Sequence, residues 1–413
     1  MKNTQTHNSW PQQVDVDDGQ LLIEEDQKDR KFSSNVFWAG FNLINAILGT
    51  GMIGLPYSMK LAGLPLGIFL LLGVAYVTDY SMILLIKGGE MSATNTYQAL
   101  VSRTFGFPGY LLLSVLQFLY PFAAMISYNI ITGDVLPKIF QRIPGVTPRS
   151  ILADRHFAIL STTIIITLPI ALYRNMQRLG KVSLMSLLFT VIVLVMVITR
   201  ASSLIYTIPH TEGAWAFAKW NAIQAVGVMS FTFMCHHACF LIYGSLEKGT
   251  VRTWSSITHV SMIISFLISV QYSIFGYVSF TGFTQGDLFE NYCKDDNLVT
   301  VGRFFYAMTV ILTYPMECFV AREGVLSATP LVFIIPTACY LKLSTDHWYH
   351  INNAMPCFIL LLGIIIMPVG FLMAVLYPQE CSHGKEMLYC FTNSTLMDVS
   401  IAHLYQSNSS EIK

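Results

Sequence analysis

The stretch Phe41-Asn42-Leu43-Ile44-Asn45-Ala46-Ile47-Leu48-Gly49-Thr50-Gly51-Met52-Ile53-Gly54-Leu55-Pro56 sets three glycines and a proline into the eight residues from Gly49 to Pro56, inside a run otherwise fit to cross a bilayer. Glycine and proline together oppose a regular helix. Irregular backbone at membrane depth survives only where protein or a wet cavity satisfies its polar groups. The run therefore reads as a discontinuous helix lining a cavity. Carbonyl groups freed where its first half stops suit a cation. N–H groups freed around Gly49, Thr50 and Gly51, where the second half begins, suit a carboxylate. A close-packing glycine face is the plainer reading of small residues at such spacing. Asn42 and Asn45 argue against it, since a mere packing face needs no costly amides.

The rest of the chain supplies a membrane setting. Of 413 residues, 54% are hydrophobic and only 12% charged, with mean hydropathy +0.54, too apolar for a soluble fold. Apolar runs near 36–59, 65–87, 109–134, 157–174, 182–205, 220–245, 254–281, 300–320, 325–343 and 355–377 predict an all-α polytopic membrane protein with about ten spans. The runs are continuous rather than alternating, which excludes a transmembrane barrel. A formal net charge of zero gives no global field for a nucleic acid.

Residues 1–32 are polar and acid-rich, with Asp15, Asp17, Asp18, Glu24, Glu25 and Asp26 and no apolar core. They read as a disordered cytosolic tail rather than a signal peptide. Residues 33–378 form the transmembrane domain. Residues 379–413 hold two glycosylation sequons, at Asn393 and Asn408, and so read as extracellular or lumenal, with Cys381 and Cys390 as a candidate disulfide. Ten spans would return the second tail to the side of the first, so one crossing is missing or miscounted. The basic residues Arg174, Arg178, Lys181, Lys248, Arg252 and Arg322 locate the fault between Thr309 and Lys342, at the short connector Ala321-Arg322-Glu323-Gly324. Lys138, Arg142, Arg149 and Arg155 break the same charge rule on the outer side.

The sixth run repeats the features of the first in other residues: Gly227, Ser230 and Thr232, then Cys235-His236-His237-Ala238-Cys239. Adjacent histidines in an apolar run are costly unless they face water, a partner or a substrate. A zinc site is disfavoured, because neighbouring side chains diverge by about 100° on a helix. Backbone carbonyls at a helix break are the plain partners, and proton sensing is the functional alternative. The two unusual runs lie five spans apart, as expected of inverted five-helix repeats that each open with a discontinuous helix. In the eighth run Thr309 and Thr313 share a helix face and can line one cavity, beside Tyr314, Pro315 and Glu317. The bland alternative is that each hydroxyl bonds its own i−4 carbonyl.

Asn42 to Tyr57 resembles the first-helix motif of the sodium-coupled neutral amino acid transporters, within the wider amino acid and auxin permease group. Cys235-His236-His237 with Ile242-Tyr243-Gly244-Ser245-Leu246-Glu247, and Tyr314-Pro315-Met316-Glu317-Cys318-Phe319, resemble the family's sixth and eighth helices. The resemblance implies eleven spans in the leucine-transporter type of fold, a cytosolic N-terminus and an external C-terminus. It implies sodium between the first and eighth helices, on residues matching Asn45 and Thr313, with Thr309 on the same face. It implies the substrate carboxylate at Gly49, Thr50 and Gly51, and the substrate amino group near Phe231 and Thr232. The chain departs from the family at Ala321 to Val325, where the ninth span is lacking, as in an exon-skipped form.

The expected function is sodium-dependent secondary transport of neutral amino acids by alternating access, with proton antiport as an addition and no cofactor. The bilayer, the amino acid, sodium and protons are the partners, and the plasma membrane is expected over an endolysosomal one. No catalytic motif supports an enzyme. Two alternatives stand beside this reading. One is a proton-coupled carrier of an internal membrane, titrating at His236 or Glu317. The other is a non-transporting sensor or an inactive splice form.

Overall fold

The computed structural model describes residues 36–147, 150–171, 176–246, 249–323, 334–344, 350–376 and 387–390. The first expected span is two helices, α1 (Val36–Leu48) and α2 (Leu55–Ala62), joined through the 3-10 turn Thr50–Gly54, with the stretch Gly51–Ala62 bent by 42° from α1. Next come α3 (Leu64–Ser92) and α4 (Tyr97–Phe140). The 44 residues of α4 exceed any bilayer, and the helix kinks at Gly106, whose φ of +70° suits only glycine. Helix α5 (Arg155–Thr162) runs through a π turn, Thr163–Thr167, into Leu168–Ala171, and α6 (Met176–Leu204) follows. The sixth span is again two helices, α7 (Ala222–Thr232) and α8 (His236–Gly244). Then come α9 (Val251–Phe280), α10 (Asn297–Glu323), α11 (Ile335–Leu343) and α12 (Ile351–Leu376). Among the described residues five helices are long and apolar enough to cross a membrane, six with the bent α1–α2 pair. The fold is all-α, as the apolar runs predict.

Helices of a bilayer gain little from burying apolar area against each other, because lipid is as apolar as leucine, so close approach at small residues matters more. A Cβ on Gly302 of α10 would fall 2.5 Å from the methyl carbon of Met196 on α6, and one on Gly276 of α9 would fall 2.6 Å from Pro56 of α2. Gly180 takes the Trp38 ring of α1 against α6 in the same way.

Cross-chain contacts sort the helix ends into two sides. On one side, Tyr243 at the end of α8 donates to Glu90 at the end of α3 (2.9 Å), and its ring meets Trp254 at the start of α9. On the other, residues 281–296 gather the ends of α4, α6 and α9. Lys138 pairs with Glu290, Arg142 with Asp295, and Arg200 with Asp296 (2.6 Å), while Arg155 meets Asp134 (2.9 Å). Arg303, 1% exposed, donates to the carbonyls of Phe289, Tyr292 and Cys293. Lys138, Arg142 and Arg155, which run against the charge rule, are thus each paired with a carboxylate. Arg149 lies outside the described residues.

One expectation needs correction, and another falls partly outside the described residues. Of the run 325–343, residues 325–333 lie outside the described residues, and the rest holds α11, nine residues spanning about 14 Å. Its end lies on the Glu90 side, with Leu343 beside Gly88 and the Lys342 ammonium 4.7 Å above the Phe105 ring. Cys390 pairs with Cys293 of the 281–296 segment, not with Cys381. Proximity in sequence suggested the nearer partner, whereas packing brings together cysteines 97 residues apart. Tyr389 donates to the Asn291 carbonyl at 2.9 Å beside that bond. Cys381, Asn393 and Asn408 lie outside the described residues.

Candidate functional site: the paired helix breaks

The last two turns of α1 carry Asn42 and Asn45, both buried. A helix that stops at Leu48 leaves the carbonyl groups of its final turn outside the α-helical ladder. Gly49 (φ −53°, ψ −128°) ends the helical geometry, and Pro56 sits in the first turn of α2, where its missing N–H costs nothing. The second break, Phe233 to Cys235, lies between α7 and α8 and turns the chain less, so that Ala222–Gly244 still reads as one crossing.

The two breaks touch. Thr232 Oγ1, at the end of α7, lies 2.9 Å from the Gly51 carbonyl oxygen and 3.0 Å from that of Val228. A Cβ on Gly51 would stand 2.5 Å from the Thr232 Cα, so only glycine allows this approach. One residue face of Gly49 looks instead to α10 and α4. The position of its missing Cβ is 3.3 Å from Thr313 Cγ2, 3.4 Å from the Tyr128 hydroxyl and 3.7 Å from the Asn45 carbonyl oxygen.

Thr313 Oγ1 donates its proton to the Thr309 carbonyl at 2.8 Å, and Thr309 Oγ1 donates to that of Phe305 at 3.1 Å. Both threonines thus make the i−4 bond that the bland reading required. Thr313 Oγ1 also points at Asn45 Oδ1, 3.5 Å away and at the outer limit of an O–H···O hydrogen bond, so α10 and α1 meet here through two side-chain oxygens. The Asn42 amide is held differently, because Ser183 of α6 donates to its Oδ1 at 2.8 Å.

Of the expected site residues, the fold brings together Asn45, Gly49, Gly51, Thr232 and Thr313, with Thr309 one turn beyond. Thr50 lies in the turn by its backbone. Phe231 points at Tyr120 of α4, ring centroids 5.5 Å apart, and Tyr120 in turn meets His237 at 5.2 Å. His236, fully buried, has Nε2 2.7 Å from Ser81 Oγ of α3 and no hydrogen-bond partner at Nδ1 among the described residues. Glu317 belongs to α10, but its side chain lies outside the described residues. Tyr128 and Tyr120 escaped the sequence reading, since tyrosine in an apolar run is ordinary and only the fold turns these two toward the breaks.

Residues 284–290 cover the junction. Lys60 of α2 donates to the Thr284 carbonyl at 3.1 Å, Leu288 packs on Gly276, and the Gly286 carbonyl oxygen is 3.7 Å from the Cβ position of Gly54. Within this cover Asp287 accepts from the Phe289 N–H at 2.8 Å. Burial, then the Glu290 charge, push its carboxyl up to about 7, with the Phe289 N–H and Lys138 acting the other way. The native carboxyl therefore keeps its proton at pH values where an unfolded one, near 3.8, has lost it. Its stabilising contribution is full below the lower value and is lost as pH rises through the upper one. Asp287→Asn is expected to flatten the decline in melting temperature of the purified protein between about pH 4 and about pH 7. An unchanged slope would mean that Asp287 does not titrate there.

The family model described as transmembrane amino acid transporter protein matches residues 33–326. The cattle protein named "Putative sodium-coupled neutral amino acid transporter 11" is 54% identical over 438 aligned positions, covering 95% of this chain and 94% of its own. Its human namesake is 54% identical, covering 84% and 97%. "Vacuolar amino acid transporter 2" of Saccharomyces cerevisiae is 27% identical, covering 75% and 65%. The cattle alignment has 438 positions against 413 residues in this chain, so at least 25 positions of the relative face a gap here.

Proposed function

Because the chain belongs to the transmembrane amino acid transporter family, we propose that it carries neutral amino acids across a membrane by sodium-coupled secondary transport. The family is one of carriers, not enzymes, and the substrate leaves unchanged. The observation that carries the reading is the pair of side-chain oxygens Asn45 Oδ1 and Thr313 Oγ1, brought within 3.5 Å of each other at the end of α1. A sodium ion between them would be held by these oxygens and by carbonyl groups of the last α1 turn. Thr309 supports Thr313 through its carbonyl rather than through its hydroxyl. Beside the ion, the N–H groups of Gly49 to Gly51 suit the substrate carboxylate, and the α7 end at Phe231 and Thr232 suits the amino group.

Alternating access builds on the two breaks, which touch at Gly51 and Thr232 and whose flanking helices α2 and α7 pack on each other. Inverted repeats account for the pattern. If α1–α2 answers to α7–α8, α3 to α9 and α4 to α10, then the contact of α1 with α9 answers to that of α7 with α3, and both occur.

The carrier is also a shortened one in this reading. The family match stops at residue 326, beside the connector Ala321 to Val325, and the relative's extra positions exceed the roughly 20 residues of a span. With the ninth span gone, the ends of α10 and α11 lie on the inner side and α12 leads out to Cys390. The N-terminal tail then stays in the cytosol, and the sequons at Asn393 and Asn408 face the outside of the plasma membrane. The proton-coupled alternative draws on the free Nδ1 of His236.

Uptake of neutral amino acids in sodium, lithium and choline media tests the reading. Asn45→Ala and Thr313→Ala are each expected to raise the sodium needed for half-maximal uptake about tenfold, the equivalent of about 1.4 kcal/mol per lost ligand. Thr309→Ala, which keeps its carbonyl, should do less. Equal uptake in choline and sodium would remove sodium from the mechanism.

A further inference from the structure

Asp79 is the lone acid of α3 ahead of Glu90 in its final turn. A carboxylate at that depth is costly and persists only with a partner. The partner is His259 of α9, whose Nδ1 stands 2.6 Å from Asp79 Oδ2. The two differ in exposure: the Asp79 side chain is 12% exposed, the His259 side chain 53%. His259 sits beside Val260 and Ile263 on the outward apolar stripe of α9 and reaches back to α3. Its other nitrogen, Nε2, lies 3.0 Å from Ser255 Oγ, one turn nearer the start of α9. Asp79 Oδ1 is buried and has no hydrogen-bond partner among the described residues, nor has the adjacent Thr78 Oγ1. One turn along the same seam, the Trp254 indole donates to the Met82 carbonyl at 3.2 Å and fixes α3 against α9.

No other charged group acts on Asp79 among the described residues. His236 of α8 turns to Ser81, and Tyr243 to Glu90. Lys60 of α2 donates to Thr284, and Lys342 of α11 lies over Phe105. Tyr80 faces Tyr340, and Arg252 lies seven residues before His259 at the α9 start.

A carboxylate and an imidazole sharing one extra proton are neutral together. With that proton lost the pair carries one negative charge, and with a second gained it carries one positive charge. Either charged state is expensive in a dry membrane. The pair therefore exchanges its proton only while water reaches it, and α9 offers water one route, along Ser255 from its polar start. In the charged state Nδ1–H donates to Asp79 and Nε2 accepts from the Ser255 hydroxyl. A proton from water enters at Nε2, Ser255 turns its lone pair toward it, and the pair becomes neutral.

We propose that Asp79 and His259 form a proton-binding site inside the membrane, separate from the sodium and substrate groups, which fills and empties from the α9 start through Ser255. The site stands on its own geometry; only its coupling to uptake rests on the transport reading.

The test uses the full chain in lipid nanodiscs. Infrared difference spectra between about pH 8 and about pH 5, the range in which histidine changes charge, should contain imidazole and carboxylate bands that Asp79→Asn and His259→Gln each remove. If the same spectrum persists in both variants, the site is refuted, whether or not the protein transports. His259→Gln alters an outward side chain and guards against misfolding at Asp79. In proteoliposomes at fixed sodium, both variants should lose the pH dependence of uptake shown by the unaltered chain. A pH profile that both variants retain would overturn the coupling. A chain that takes up nothing in any medium overturns the transport reading, and the infrared titration then decides the site alone.

Discussion

Gly51→Ala is expected to abolish uptake, and to do so where Gly227→Ala leaves it intact. The new methyl of Gly51→Ala would meet the Thr232 Cα at 2.5 Å and its Oγ1 at 2.8 Å. A backbone atom at the end of α7 has no rotamer by which to withdraw, so the two breaks must separate. Overpacking of this kind costs about 1–3 kcal/mol, and separation also costs the 2.9 Å contact between Thr232 Oγ1 and the Gly51 carbonyl. Gly49→Ala should fall between the two, because its neighbours at 3.3 and 3.4 Å are side-chain atoms of Thr313 and Tyr128, which can give slightly. Gly227 has nothing within 4 Å of its Cβ position. Uptake normalised to surface abundance measures the series. Equal activity of the Gly51 and Gly227 variants would mean that the breaks do not touch in the working carrier.

Restoring the relative's extra positions between Glu323 and Gly324 is the change expected to raise transport most. In the proposed sodium site the position of Thr313 depends on the depth and tilt of α10, and in the bundle a helix takes its tilt from its neighbours. Here α10 is followed by residues outside the described set and then by a nine-residue helix, and the alignment with the cattle relative holds at least 25 positions at which this chain has a gap. The comparison is uptake in sodium by the two forms at matched surface abundance. If they transport equally well, the shortening is harmless to the site.

Much of the fold was legible because hydropathy and backbone chemistry are local. Nine of the ten expected runs coincide with described helices or helix pairs, and both breaks fall where glycine, proline or paired histidines interrupt an apolar run. The remaining run, 325–343, is described only from residue 334 onward. The Cys390 partner misled because a covalent pair obeys distance in space, and sequence offers distance only along the chain. Asp79 was visible in principle. An isolated carboxylate in an apolar run announces a partner, yet His259, 180 residues away, looked like an ordinary polar residue near a helix start.

The Cys293–Cys390 bond makes the end of the chain report on its own biogenesis. Cys293 is threaded before α10, whereas Cys390 emerges only after α12, so the two thiols meet once every intervening crossing has been settled. Thiols oxidise on the extracytoplasmic side and stay reduced in the cytosol. A chain with one crossing too many or too few strands its last cysteine in the reducing compartment and leaves Cys293 unpaired. Newly made copies that have reached the correct topology thus carry a covalent stamp that miscounted copies lack, and mobility on a non-reducing gel sorts the two populations.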